Sequence, residues 1–308
     1  MSDGNSVPRV DFFLIGTPKS GTTWLSNVLT QHPGISTSYP KEVNEITSHK
    51  GTFVRDESEP NWKRYEAAFS SKGIRIDCSI STFCCPLAPG RISDHWPDAK
   101  FILCLREPVS RTISHWGMIL ETGEDLENGE NWEEFAEAWK DQRLQENSLY
   151  GMSMQRWLSH FPRDRFHLIG AEEMRKKPEK TTESVFAHMG VDSISLNTND
   201  VFSNSGSSRR VNNSLGNIIS FLESTLPGKF RVKIANFLRS RGLNPYKLTI
   251  ISKKIMSRPG QLGKPYSVTS EMIVDDLEFF SQLTDFDVSE WLSEIEEKKR
   301  NENSHRDL

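Results

Sequence analysis

The sequence is poor in the features that classify a chain quickly. It holds only four cysteines, Cys78, Cys84, Cys85 and Cys104, mostly within apolar stretches where a thiol behaves as a small hydrophobic group. The vicinal Cys84 and Cys85 have neither a C-x-x-C spacing nor nearby histidine or cysteine partners, so they read as reduced core residues and imply no metal. The histidines likewise lack a metal-ligand spacing. No apolar run approaches the ~18 residues that cross a bilayer. The opening MSDGNSVPRVD has neither the basic start nor the apolar core of a secretory signal. These absences give the expectation of a cytoplasmic chain with no transmembrane segment. An excess of one charge sign is missing too. A formal net charge of -4 over 308 residues argues against nucleic acid as a partner, while leaving room for a small basic pocket.

What is present is a globular composition, 35% hydrophobic and 26% charged, on a chain long enough to bury a sizeable core. β-rich runs fall at 10–15, 74–77, 100–105 and 165–169, with a weaker one at 35–38. Helical spacing separates them, at 22–29 through Trp24, Leu25, Val28 and Leu29 and at 109–120 through Ile113, Trp116 and Leu120. Alternating strands and helices predict an α/β fold, a central parallel sheet covered on both faces. FILCL, with no polar alternation, suits a strand buried on both sides. From about residue 204 no strand pattern is evident, and 214–226, 228–240, 246–256 and 269–283 read as helices. The expected organisation is a disordered terminus at 1–9, one domain over 10–295 with a mostly helical C-terminal portion, and a charged flexible tail at 296–308. SNSGSSRR at 203–210 reads as a mobile loop.

The stretch FFLIGTPKSGTTWL, residues 12–25, is a buried strand, a Gly-rich turn and a helix start. Such a turn aims backbone N–H groups and the positive end of the helix dipole at one point, where a phosphate or sulfonate is the usual occupant. Gly16 and Gly21 permit the tight turn, and Thr22 and Thr23 offer hydroxyls. A Walker loop requires G-x-x-x-x-G-K-[ST]. Here Thr22 stands where that lysine belongs, and the cation has moved to Lys19 on the crest of the loop.

PKSGTTWL resembles the 5′-phosphosulfate loop of sulfotransferases that use 3′-phosphoadenosine 5′-phosphosulfate (PAPS). KFILCLREPVSRTISHW, residues 100–116, resembles the same family's 3′-phosphate element, a strand ending in Arg, then Pro, then a helix with a Ser. PKE at 40–42, SLYGMSMQRWLSHFPRDRFHLI at 148–169 and LGKPYSV at 262–268 extend the likeness, which is strongest toward the heparan-type carbohydrate branch and covers roughly 10–190 and 260–291. The resemblance implies a P-loop-like fold and a cofactor site of Lys19, Ser20, Gly21, Thr22, Thr23, Trp24, Arg106, Ser114, Tyr150, Gly263 and Lys264. Trp24 could equally pack its helix. The implied donor is PAPS, released as adenosine 3′,5′-bisphosphate, with no metal, and the implied acceptor is a carbohydrate or small molecule carrying a hydroxyl or amine.

Sulfonate transfer needs a cation at the leaving oxygen and a base for the acceptor's proton. The resemblance assigns these to Lys19 and Glu42. A free glutamate, with a pKa of about 4.3, is a weak base for an alcohol, so partial burial of Glu42 is expected. Glu45 is the rival base. Lys41, Asp77 and Ser79 are candidates for the acceptor site, with capping at a strand end the plainer role for the last two. The branch has a Glu-Lys-Ser segment where this chain has Asp77, Cys78 and Ser79, so the corresponding lysine contact is missing. The alternative is a P-loop phosphotransferase of kinase type, with Asp77 closing IRID like a Walker B strand. Thr22 in the place of the Walker lysine opposes it.

Overall fold

The structure is a computed structural model that describes residues 7–70, 73–194, 210–212, 252–254 and 258–304. Its centre follows from the apolar runs. β1 (Phe12–Gly16), β2 (Ile35–Thr37), β5 (Ile74–Asp77), β6 (Lys100–Leu105) and β7 (Phe166–Gly170) form one sheet in the order β2-β5-β1-β6-β7. Every pairing in it is parallel. Two short strands between β2 and β5, β3 (His49–Lys50) and β4 (Val54–Arg55), pair antiparallel outside it.

Successive side chains of a strand face opposite ways, and here each face has its own cover. Phe12 and Leu14 of β1 join Ile76, Ile102 and Ile169 beneath α1 (Thr22–Leu29) and a helix at Pro178–Met189. Phe13 and Ile15 join Phe101, Leu103 and Leu105 on the other face. That face is covered by α2 (Trp62–Ala67), α3 (Ala88–His95) and α4 (Pro108–Thr122), and by helices from further along the chain. Three short helices follow α4, namely α5 (Glu124–Glu127), α6 (Phe135–Ala138) and α7 (Gln142–Gln145), then α8 (Tyr150–Leu158), α9 (Ala171–Lys176) and α10 (Pro178–Met189). α11 (Pro265–Thr284) and α12 (Ser289–Ser304) complete the layer, with Ile273, Leu277 and Phe280 of α11 and Trp291 and Ile295 of α12 in the same core as Trp157 of α8. All four cysteines are free and buried, Cys78 and Cys104 on one side of the sheet and Cys85 on the other.

The five expected strands and the helices at 22–29 and 109–120 are found within two residues of their expected bounds. Two expectations for the C-terminal portion change. Arg210–Asn212 (β8) and Ser252–Lys254 (β9) form an antiparallel pair, so the helix read over 246–256 gives way to a strand at 252–254. The sequences RVN and SKK are too short and too polar to show an alternating pattern. The windows 214–226 and 228–240, and residues 203–209, lie outside the described residues. The flexible tail read from 296 is instead helical to Ser304. Its charges hid a face at helical spacing, Trp291, Ile295, Lys298 and Glu302, that docks on α11. Glu302 accepts from the backbone N–H groups of Tyr266 and Ser267 at 3.1 and 2.8 Å. These are first-turn donors of α11, which its own helix cannot satisfy.

Glu302→Ala should therefore lower unfolding free energy by about 1 kcal/mol, as loss of a helix cap does. Reversible urea denaturation measures it, and an unchanged midpoint would return this segment to solvent.

Candidate functional site

The carboxyl ends of β1, β5 and β6 converge on one edge of the sheet, where open α/β folds place their ligands. From β1 the chain turns at once. Thr17 N–H donates to the Cys104 carbonyl at 2.7 Å, and the Thr17 hydroxyl bonds the same carbonyl at 3.1 Å and Ser20 Oγ at 2.7 Å. The loop is thus tied to β6, and Ser20, wholly buried, is committed to holding its shape. Lys19 takes φ 72° on the crest and Gly21 φ 86° at the start of α1. Gly21 is favoured by its left-handed φ, and a Cβ there would also have to displace the end of the Met174 side chain, 2.2 Å away. No acidic residue occupies the first turn of α1, so nothing there opposes an anion at its N-terminus. Trp24 packs, partly buried, against the core under α1 and α10, which favours its packing role.

β6 ends in the second element. Glu107 caps α4, accepting from Val109 and Ser110 N–H at 2.6 and 2.8 Å, with Pro108 at the first turn, where a missing N–H costs nothing. The cap leaves Arg106 at the strand end and Ser114 farther along the helix, both half-buried. Tyr150, expected at the cofactor, is wholly buried and donates to the Arg106 carbonyl at 2.9 Å. Burial pushes its hydroxyl up to about 12. It acts on the site by fixing the backbone of Arg106. The Tyr266 hydroxyl, bonded to Ser110 Oγ at 3.0 Å and Glu107 Oε2 at 3.2 Å, brings the start of α11 to the start of α4. Gly263, with φ 58°, and Lys264 immediately precede it. The Lys264 ammonium is buried and meets no hydrogen-bond partner among the described residues. Lys264 beside the start of α4, with the anion loop tied to β6, offers separate cationic positions for two anionic groups.

The third side of the site is the loop after β2. Lys41 Nζ lies 3.5 Å from Thr22 Oγ1 and 3.1 Å from Glu42 Oε1, with its side chain only 13% exposed against 41% for Glu42. A carboxylate is thereby held at the mouth of the anion loop by a lysine that bonds to both. The partial burial expected of Glu42 is not seen; the adjacent ammonium, and not an apolar wall, defines its surroundings. Glu45 is turned away. Its carboxylate is buried, accepting from Asn61 N–H at 3.1 Å and pairing with Arg64 at 3.1 Å, which ties it to α2. Asp77 and Ser79 prove to be anchors and not an open acceptor wall. Asp77, 2% exposed, accepts from Ser79 N–H and Oγ and from the Tyr65 hydroxyl. Ser79 Oγ in turn accepts from Asn44 N–H at 3.0 Å, so the chain pins the loop carrying Glu42 to the end of β5. With both oxygens engaged and burial raising its pKa, Asp77 is no counterpart of a Walker B ligand.

The sulfotransferase domain family matches residues 9–240 of this chain. The chain belongs to that family. Among its relatives, heparan sulfate glucosamine 3-O-sulfotransferase 5 of mouse (Mus musculus) is 28% identical over 178 residues, 54% of this chain and 49% of the relative. The human bifunctional heparan sulfate N-deacetylase/N-sulfotransferase 2 is 24% identical over 202 residues, 58% of this chain and 22% of the relative. The chain therefore spans about half or less of these curated relatives. The crystal structure of a sulfotransferase from Alicyclobacillus acidocaldarius shares the fold, with a TM-score of 0.50 at 22% identity, covering 75% of this chain and 97% of that one.

Two groups in this sulfotransferase chain escaped the sequence reading. One is Arg111, wholly buried on α4, whose guanidinium is pushed by burial down to about 10. Its burial was not legible in the sequence, because the apolar face of Ile113, Trp116 and Leu120 lies across the helix from Arg111, and only the structure shows 111, 115 and 119 buried as well. The other joins His49, Cys84 and Glu146, whose ligand-type atoms lie within 4.8 Å of one another. No partner for the vicinal cysteines is legible in the sequence because residues 49 and 146 are remote along the chain. Burial would raise the Cys85 thiol, but bonds from His49 and Ser48 hold it down at about 6. The Glu146 carboxylate already pairs with Arg55.

Replacing the unpartnered ammonium in Lys264→Met should leave the free chain as stable as before or more so, since an uncompensated buried charge is costly. The same change should weaken adenosine 3′,5′-bisphosphate about tenfold, roughly 1.4 kcal/mol. Calorimetric titration beside thermal melting checks both, and undiminished affinity would remove Lys264 from the site.

Proposed function

We propose that this chain moves the sulfonate of PAPS to a hydroxyl or amine of a carbohydrate or small-molecule acceptor by in-line displacement, with Glu42 as the base. The observation that carries the reading is the Thr22, Lys41 and Glu42 line, which sets a carboxylate against the mouth of an anion loop. Two further features suit the donor nucleotide. The buried Lys264 ammonium has no hydrogen-bond partner among the described residues, and no acidic residue stands in the first turn of α1. When bound, PAPS supplies the sulfonate and an anionic leaving group.

The roles of the chain's own residues follow from elementary electrostatics. Lys19, on the loop crest, sets a fixed positive charge where negative charge grows on the departing oxygen, and the loop N–H groups add aligned dipoles. Arg106, Ser114 and Lys264 hold the 3′-phosphate, an Arg fork being well matched to phosphate oxygens. Glu42 Oε takes the acceptor's proton. Lys41, between Thr22 and Glu42, keeps the base aimed at the loop. The carbohydrate acceptor draws support from relatives named for heparan sulfate. The kinase-type alternative has lost its Asp77 ligand to strand capping.

Thermal-shift titration should show stabilisation by adenosine 3′,5′-bisphosphate without Mg²⁺. Lys19→Ala should abolish sulfonate transfer in a folded protein. Glu42→Gln should bind the nucleotide normally yet lose about 10²–10⁴-fold in turnover, the usual worth of a general base. The assay is transfer of label from PAPS to a panel of saccharides and alcohols. Stabilisation by Mg-ATP alone would overturn sulfonate transfer, and full turnover by Glu42→Gln would overturn the base.

A further inference from the structure

Arg111 is 0% exposed, and its hydrogen bonds account for a whole guanidinium without supplying any negative charge. Nε and one terminal nitrogen donate to Ser148 Oγ at 3.1 and 2.6 Å. That nitrogen also reaches Thr112 Oγ1 at 3.3 Å. The other terminal nitrogen donates to His115 Nδ1 at 3.3 Å and to the Pro18 carbonyl at 3.5 Å. His115 brings no charge, because burial and the neighbouring Arg111 hold its pKa well below the usual histidine value, and its Nε2 faces Thr52 Oγ1 at 3.0 Å. The nearby Glu107 is committed to the cap of α4 and to Tyr266. Among the described residues no carboxylate comes within ion-pair distance of Arg111.

A buried charge is ordinarily paired within the protein or matched by a ligand. This one is wrapped in neutral acceptors, and one of them is Pro18 O, the peptide carbonyl that immediately precedes Lys19. The contact reaches the backbone of the anion loop from the buried interior. Aligned donors at a helix start and a cation behind them act in the same direction on an anion in the loop.

We infer that Arg111 is a positioning residue for the 5′ end of the donor nucleotide: it holds the Pro18 carbonyl, and with it the left-handed crest at Lys19, and its counter-charge is the anion that the loop binds. The inference rests on the PAPS reading above. It sets Arg111 apart from Arg106, five residues earlier, which serves the 3′-phosphate. The two arginines of LREPVSR thus divide the nucleotide's anionic groups between them.

The experiment measures binding of adenosine 3′,5′-bisphosphate, 5′-AMP and 3′-AMP to the full chain, to Arg111→Met and to Arg111→Lys by calorimetry. Arg111→Met should weaken the bisphosphate and 5′-AMP about tenfold or more and 3′-AMP less than about twofold. Arg111→Lys should recover most of the loss, because the charge returns. The 5′ selectivity of the loss should persist in about 0.5 M salt, since buried charges are screened much less than exposed ones. A purely structural role would weaken all three ligands alike or none, and either result overturns the inference. Should Arg111→Met fail to fold, Ser148→Ala, which removes the shortest of the guanidinium's anchors, must give a 5′-selective loss of about threefold or more; a uniform effect counts against it. Wild-type protein that binds none of the three nucleotides overturns the PAPS reading and this inference together. Wild-type binding with an unselective Arg111→Met overturns the inference alone.

Discussion

Thr17 N–H meets the Cys104 carbonyl at 2.7 Å, at the point where β1 slips out of even register with β6 between Leu14 and Gly16. That bond fixes the direction in which the chain leaves the sheet. A loop that carries only its own turn geometry would sample many crests; one hung from the neighbouring strand has its crest defined relative to Arg106, two residues beyond Cys104. The distance from that crest to Arg106 is therefore a property of the sheet. The buried arginine under Pro18 and the hydroxyl pair Thr17 and Ser20 reinforce the same few backbone atoms. Rigid placement of donors is what electrostatic catalysis requires, because a dipole already aimed needs no reorganisation during the reaction.

The legibility of the fold follows from how its strands are buried. β1 is apolar throughout, β6 is apolar after Lys100, and both sit mid-sheet, so their sequences speak for themselves, while α1 and α4 present clear apolar faces at helical spacing. β8 and β9 carry too few apolar residues for any period to emerge. α12 shows the opposite failure. Its local composition reads as solvated, and only contact with α11 turns Lys298 and Glu302 into structural groups: Lys298 reaches Tyr266 Oη at 2.8 Å while Glu302 completes the first turn of α11. A charge's role depends on what lies across from it, and a sequence alone does not carry that information.

The same distinction runs through the site. The anion loop and the Arg106 element are contiguous motifs, so their spacing is written along the chain. The surroundings of Glu42 are set by residues as distant as Ser79, and the choice between capping and acceptor contact, open for Asp77 in the sequence, turns on Tyr65 of α2. Tyr150 was found, but at one remove from its expected place, since a side chain that fixes a carbonyl leaves the same trace in a motif as one that touches a ligand.

The trans-capping of α11 by Glu302 has a consequence for how the site comes into being. The anion loop, closed within the first 25 residues, can take shape as soon as β6 pairs with β1. Lys264 stands just before a helix whose first turn is completed only by α12. A chain emerging from its amino end would possess one half of the proposed nucleotide site long before the other. On the proposed reading, nucleotide affinity is thus a readout of finished folding, complete only once α12 has docked on α11.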